Sequence, residues 1–133
     1  MSLCLIPSII NKIDKAKKNK KNTIKLYGTG NQKREFLFID DAANALVKSI
    51  EYSGKNNKIN IGTGETIKIR LLAKKIKEIM NFDGHIEWDK TAESGINKKN
   101  FDVNRAKKDL KFNMKISLEE GLKKTIDWYY EKN

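Results

Sequence analysis

No strand-like run in this 133-residue sequence is longer than five residues, and helical stripes separate the runs. The runs are Thr23–Tyr27 (TIKLY), Glu35–Ile39 (EFLFI), Lys58–Ile61 (KINI), Thr66–Ile69 and His85–Trp88 (HIEW). Alternation marks the first as a strand with one buried face, and an apolar character on both faces marks the second as a buried strand. Such an order predicts a mixed α/β fold with short strands between helices.

The helices announce themselves by period and by their ends. Over residues 5–17, Pro7 suits a first turn, where a missing N–H costs nothing, and Ile6, Ile9, Ile10 and Ile13 fall on one stripe. Asp40-Asp41 opens a helix to about Tyr52, the carboxylates serving as caps and Ala42, Leu46 and Ile50 as the buried stripe. Residues 70–81 carry Leu72, Ile76, Ile79 and Met80 on one face, and a short helix runs from Asp102 to near Leu110. Ser117 and Glu120 form a capping box before the stripe Leu118, Leu122, Ile126 and Tyr129. Gly28-Thr29-Gly30 and Gly62-Thr63-Gly64 read as turns.

Composition narrows the function. No stretch approaches the roughly 20 apolar residues of a membrane span, and the short run Leu3–Ile10 is broken by Pro7 without the layout of a signal peptide. A single cysteine, Cys4, rules out an internal disulfide and suits a reducing compartment, so a cytoplasmic protein is expected. The net charge of +11 raises the alternative of a basic nucleic-acid-binding module. Against it, the lysines spread along the whole chain, arginine occurs only at 34, 70 and 105, and no aromatics interleave the densest basic run, Lys12–Lys21.

Several chemistries are missing. Neither Gly-x-Gly turn continues into the three-glycine dinucleotide fingerprint. One cysteine and one histidine, His85, cannot make a standard zinc site within one chain, and a Cys4–His85 nucleophile pair has no support in the pattern. No carboxylate spacing marks an acid/base pair.

The stretch Tyr27–Asp41, YGTGNQKREFLFIDD, is more specific. It resembles the aromatic-Gly-x-Gly…Arg-Glu-Phe…Asp-Asp motif of extended short-chain dehydrogenases that act on nucleotide sugars. Asn60–Gly64 (NIGTG) is similar to the strand end that follows in that family. Residues 82–89, 102–105 and 116–129 look like the C-terminus of the GDP-L-fucose synthases and their relatives, and Leu5-Ile6-Pro7 with Lys12 is similar to their Val-Ile-Pro helix. Nearly the whole chain is covered.

The resemblance implies a single unit, residues 1–133, forming the C-terminal substrate-binding portion of such an enzyme without the N-terminal Rossmann core. It implies that Arg34 contacts the diphosphate of a nucleotide sugar, which suits a planar guanidinium fork. It further implies substrate contacts from Tyr27 and from Lys12, a lysine where the fucose synthases carry arginine. Strand-end packing of Tyr27, a solvated Lys12 and an Arg34 pair with Asp40 or Asp41 are the plain alternatives. In the loop before the Asp102 helix, Ser94 replaces a substrate-contacting aspartate while the basic pair Lys98-Lys99 survives. Cys4 takes the place of a histidine beside the nicotinamide.

None of the four tyrosines has lysine four residues on, so the family's catalytic Tyr-x-x-x-Lys pair is not in this sequence. The intact enzyme is expected to use NADP or NAD and to perform 3,5-epimerisation and 4-reduction of a GDP-4-keto-6-deoxy sugar, with a 4-epimerase, 4,6-dehydratase or reductase of another nucleotide sugar as the alternative. The chain alone is expected to hold no cofactor and to be inactive. The resemblance also implies that the helix from Asp40 and the strand 58–61 pack on the cofactor domain. Without that partner their apolar faces should promote self-association.

Overall fold

A computed structural model describes residues 4–55, 58–91 and 97–132. The order is α1 (Leu5–Lys18), β1 (Thr23–Tyr27), β2 (Lys33–Arg34), α2 (Ile39–Ile50), β3 (Ile67–Lys68), α3 (Ile69–Ile79), β4 (His85–Asp89), α4 (Asn104–Asp109) and α5 (Leu118–Lys132). β1 and β4 pair in parallel, from Thr23 opposite His85 to Tyr27 opposite Asp89. β2 and β3 pair antiparallel, Lys33 opposite Lys68 and Arg34 opposite Ile67. The mixed α/β class with short strands is as the periodicity predicts.

The main core lies where α1, α3 and α5 meet β1. Ile9, Ile13, Leu72, Ile76, Leu122 and Ile126 are buried there, each on the stripe its helix period assigns. A second, smaller core joins Ala45 of α2 to Ala106, Leu110 and Phe112.

Two expected strands are absent. Residues 35–38 have no ladder, and the pairing falls instead on Lys33–Arg34; the Glu35 side chain accepts the backbone N–H groups of Thr63 and Gly64. Residues 58–61 are irregular, though Ile59 and Ile61 pack on the second core. A strand is defined by a partner, and among the described residues neither run has a ladder partner.

α2 departs further. It spans Ile39–Ile50, and no side chain caps its start. Asp41 is not a cap but is buried, 2% exposed. Of the expected stripe, Leu46 is 64% and Ile50 83% exposed, with Val47 beside them at 59%. Ala45 is the residue that α2 buries against the second core. The capping box at α5 forms by half: Ser117 Oγ accepts the Glu120 N–H at 3.2 Å, while the Glu120 carboxylate pairs with Lys124 at 3.3 Å.

Candidate functional site

The turn after β1 positions everything that follows. Gly30 sits at φ +71°, and a Cβ there would stand 2.6 Å from the Trp88 ring. The Arg70 guanidinium lies 4.8 Å from the centroid of the same ring and donates to the Thr29 carbonyl at 2.7 Å. Trp88 and Arg70 thus lock the route from β1 to β2.

Tyr27, at the end of β1, is 69% exposed. The Lys12 ammonium, one helix away, stands 4.8 Å from its ring centroid and donates to the Lys25 carbonyl at 2.7 Å. Lys12 and Tyr27 therefore meet, at the rim of an open concavity of about 420 Å³ that Lys15, Lys21 and Lys25 also line. Lys25 pairs with Asp89 at 2.9 Å. The Thr91 hydroxyl first, then Lys25, holds the Asp89 carboxyl down at about 2, so that pair stays charged.

Arg34 lines a different concavity, of about 250 Å³, with Phe36, Thr63, Thr66, Ile67 and Met114. Its Nη1 donates to the Lys33 carbonyl at 2.8 Å. Two carboxylates of the same motif fix the walls. Glu35 Oε1 accepts the N–H groups of Thr63 and Gly64, and Oε2 accepts that of Phe101 at 3.0 Å. A Cβ at Gly62 would overlap the Glu35 carboxylate, so the glycine makes room for it. Asp41 accepts the N–H groups of Lys115 at 3.0 Å and Ile116 at 2.9 Å, holding the opposite wall against α2. The Asp41 oxygens are thus taken up by backbone N–H groups.

Sequence reasoning missed both clamps. Their acceptors' partners lie 28 to 75 residues away, and no local pattern reports such a bond. The available signal was a pair of acids embedded in an apolar run, where a buried carboxylate needs donors.

Backbone pairing delivers the basic pair. Lys33 N–H donates to the Asn97 carbonyl at 2.7 Å and Lys99 N–H to the Lys33 carbonyl at 3.2 Å, so Lys98 lies opposite Lys33 and the pair adjoins Arg34. Ser94 lies outside the described residues. Cys4 is exposed at the start of α1, where its carbonyl accepts the Ser8 N–H. Lys12 thus meets Tyr27, whereas Lys98-Lys99 neighbour Arg34 along the ribbon without lining its cavity.

A dinucleotide does not fit either glycine turn. The N–H groups of Thr63 and Gly64 already serve the Glu35 carboxylate, and Trp88 packs against Gly30. Among the described residues no group of three His, Cys, Asp or Glu side chains could hold a metal ion, and no helix is long and apolar enough to cross a membrane.

By fold, this is a mixed α/β unit of the kind found in the extended short-chain epimerases and reductases. Residues 4–62 match the profile of the NAD dependent epimerase/dehydratase family, so this stretch is similar to that family. It is 37% identical to GDP-L-fucose synthase 1 of Arabidopsis thaliana over 94% of its own length and 38% of that protein's. The UDP-glucose 4-epimerase of Thermotoga maritima, solved with UDP-glucose, superposes with a TM-score of 0.85 at 26% identity, over 97% of this chain and 40% of that one. A GDP-L-fucose synthetase from Naegleria fowleri gives 0.86 at 25% identity, over 96% and 40%. The chain therefore spans about two fifths of the length of these relatives and corresponds to a C-terminal portion of them.

Proposed function

We propose that residues 1–133 form the substrate-binding region of an NAD- or NADP-dependent nucleotide-sugar epimerase/reductase of the GDP-L-fucose synthase type. The observation that carries this reading is the Arg34 cavity, whose walls are clamped by Glu35 and Asp41 from the same motif. In it Arg34 grips the diphosphate, while Lys98 and Lys99, on the neighbouring ribbon and outside the cavity lining, add charge from nearby, and Ser94 is assigned to the same substrate. Lys12 and Tyr27 hold a second part of the substrate, and Cys4 would contribute to the cofactor side. The reaction is 3,5-epimerisation and 4-reduction of a GDP-4-keto-6-deoxy sugar. The nicotinamide cofactor supplies the hydride; the residues of this chain bind and orient the sugar nucleotide.

The acid/base tyrosine and the dinucleotide loop come from a separate Rossmann domain, which covers the apolar face of α2 that includes Leu46, Val47 and Ile50. A reducing, cytoplasmic setting suits the lone Cys4. A second reading, a UDP-sugar 4-epimerase, is favoured by the superposition on the Thermotoga enzyme.

Amide NMR titration with GDP- and UDP-sugars at physiological salt tests the reading. Saturable shifts at Arg34, Thr63 and Ile116 with one of them, lost in Arg34→Ala, are expected and name the base. Saturable shifts with neither sugar nucleotide overturn it.

A further inference from the structure

Lysine is so common in this chain that a basic surface alone says little, but one arrangement of it is informative. Elsewhere many ammonium groups have acceptors. Lys17 donates to the Met80 carbonyl, Lys18 pairs with Asp14, Lys25 with Asp89 and Lys75 with Glu119. The ribbon built from β2, β3 and residues 97–99 is different. Lys33 occupies its middle, with Lys68 as its register partner on one side and Lys98 on the other. Residues directly opposite share a face of a ribbon, so three exposed lysines stand abreast. Among the described residues no ion pair or side-chain hydrogen bond reaches any of them.

Neighbouring strands lie about 4.8 Å apart, so the row spans roughly 10 Å. Like charges directly opposite destabilise a ladder. Glu35, two residues on from Lys33, offers no relief, because both its oxygens serve the N–H groups of Thr63, Gly64 and Phe101. Arg34 and Ile67 alternate to the other face and line the cavity already described. The row is therefore outside that cavity.

We propose that Lys33, Lys68 and Lys98 form a binding strip for an oligophosphate, a small anion carrying several linked phosphates. One phosphate is met by one or two ammonium groups, whereas three abreast match successive phosphates along a chain. A single-stranded nucleic acid needs aromatic platforms for its bases, and none of the three paired positions carries one; Trp88 is occupied by Gly30 and Arg70. The strip shares Lys98 with the sugar-nucleotide reading but does not rest on it, since Lys33 and Lys68 take no part there.

The full chain is titrated with inorganic tripolyphosphate at physiological salt, by calorimetry and amide NMR. Saturable binding with shifts centred on 33, 68 and 98 is expected, at least about tenfold weaker in the double variant Lys33→Gln/Lys68→Gln. Without anion that variant melts about 2 °C higher than the parent, because repulsion is relieved, and tripolyphosphate no longer raises its melting point. Equal weakening in Lys107→Gln/Lys123→Gln, which removes the same charge from α4 and α5, overturns the proposal. So does saturable binding only to an oligonucleotide. Tripolyphosphate binding that survives Arg34→Ala supports a strip separate from the cavity, and binding lost with Arg34 overturns it.

Discussion

The Tyr129 hydroxyl donates to the Asp14 carboxylate at 3.0 Å, tying the last helix to the first across 115 residues of sequence. Asp14 is 5% exposed and also pairs with Lys18 at 2.9 Å. Burial pushes its carboxyl up, but the bonds from Lys18 and Tyr129 outweigh that and leave it below its ordinary value. Burial and the bond to Asp14 push the Tyr129 phenol up.

Tyr129→Phe removes one hydrogen bond to a buried carboxylate while keeping the ring. Hydrogen bonds to charged groups are worth about 1.5–3 kcal/mol, and Lys18 remains as a partner, so a loss of about 1–2 kcal/mol is expected. Urea denaturation at pH 7 measures it, with an unchanged m-value showing that the native fold persists.

The same pair sets a pH window. Asp14 has a depressed folded value, so its contribution is full above the ordinary value of 3.8 and is lost as pH falls through the folded one. Tyr129 has a raised folded value, so its contribution is full below 10.0 and fades as pH climbs through the folded one. Melting temperature against pH should fall at both ends, and Tyr129→Phe should flatten the alkaline limb and soften the acid one.

Glu35→Ala leaves the N–H groups of Thr63, Gly64 and Phe101 without their acceptor, and about 1–3 kcal/mol of stability should go. Gly62→Ala evicts the same carboxylate by overlap. The two substitutions act on one contact, so the double variant should be no worse than the poorer single one, within about 0.5 kcal/mol. Full additivity in a double-mutant cycle would show that Glu35 and Gly62 act independently.

Gly30→Ala should be more damaging than an ordinary turn substitution. It meets both a left-handed backbone and the face of Trp88. A cost of about 2 kcal/mol or more is expected, together with a change in Trp88 fluorescence as the ring moves off the Arg70 guanidinium.

What the sequence made legible was whatever depends on near neighbours. Ile9, Ile13, Leu72, Ile76, Leu122 and Ile126 are buried where their helix period puts them, and β1 and β4 run over the residues that alternate. Glu35 and Asp41 escaped because a carboxylate's preference for a helix start is local, whereas its real donors here are backbone groups brought in by the chain's return. The apolar run 35–39 looked like a buried strand because apolarity reports burial without naming a hydrogen-bonding partner. In the site, the contact of Lys12 with the Tyr27 ring and the pairing of Lys98 with Lys33 both join residues whose meeting no spacing rule reports.

The stripe of α2 holds the same lesson and a final test. Period alone identifies Leu46 and Ile50 as an apolar face but not what covers it, and here both are exposed, with Val47 beside them. An apolar surface of this kind drives association in water. The chain should sediment as a mixture of monomer and larger species, with the equilibrium moving toward monomer on dilution. Leu46→Glu/Ile50→Lys adds one charge of each sign, leaves net charge unchanged and alters no buried residue. It should give a monomer with the parent's circular dichroism and a melting point within about 2 °C. A double variant that unfolds would mean that this face is packed within the monomer, and one that associates as the parent does would move the sticky surface elsewhere, to Trp128 and Tyr130 on α5.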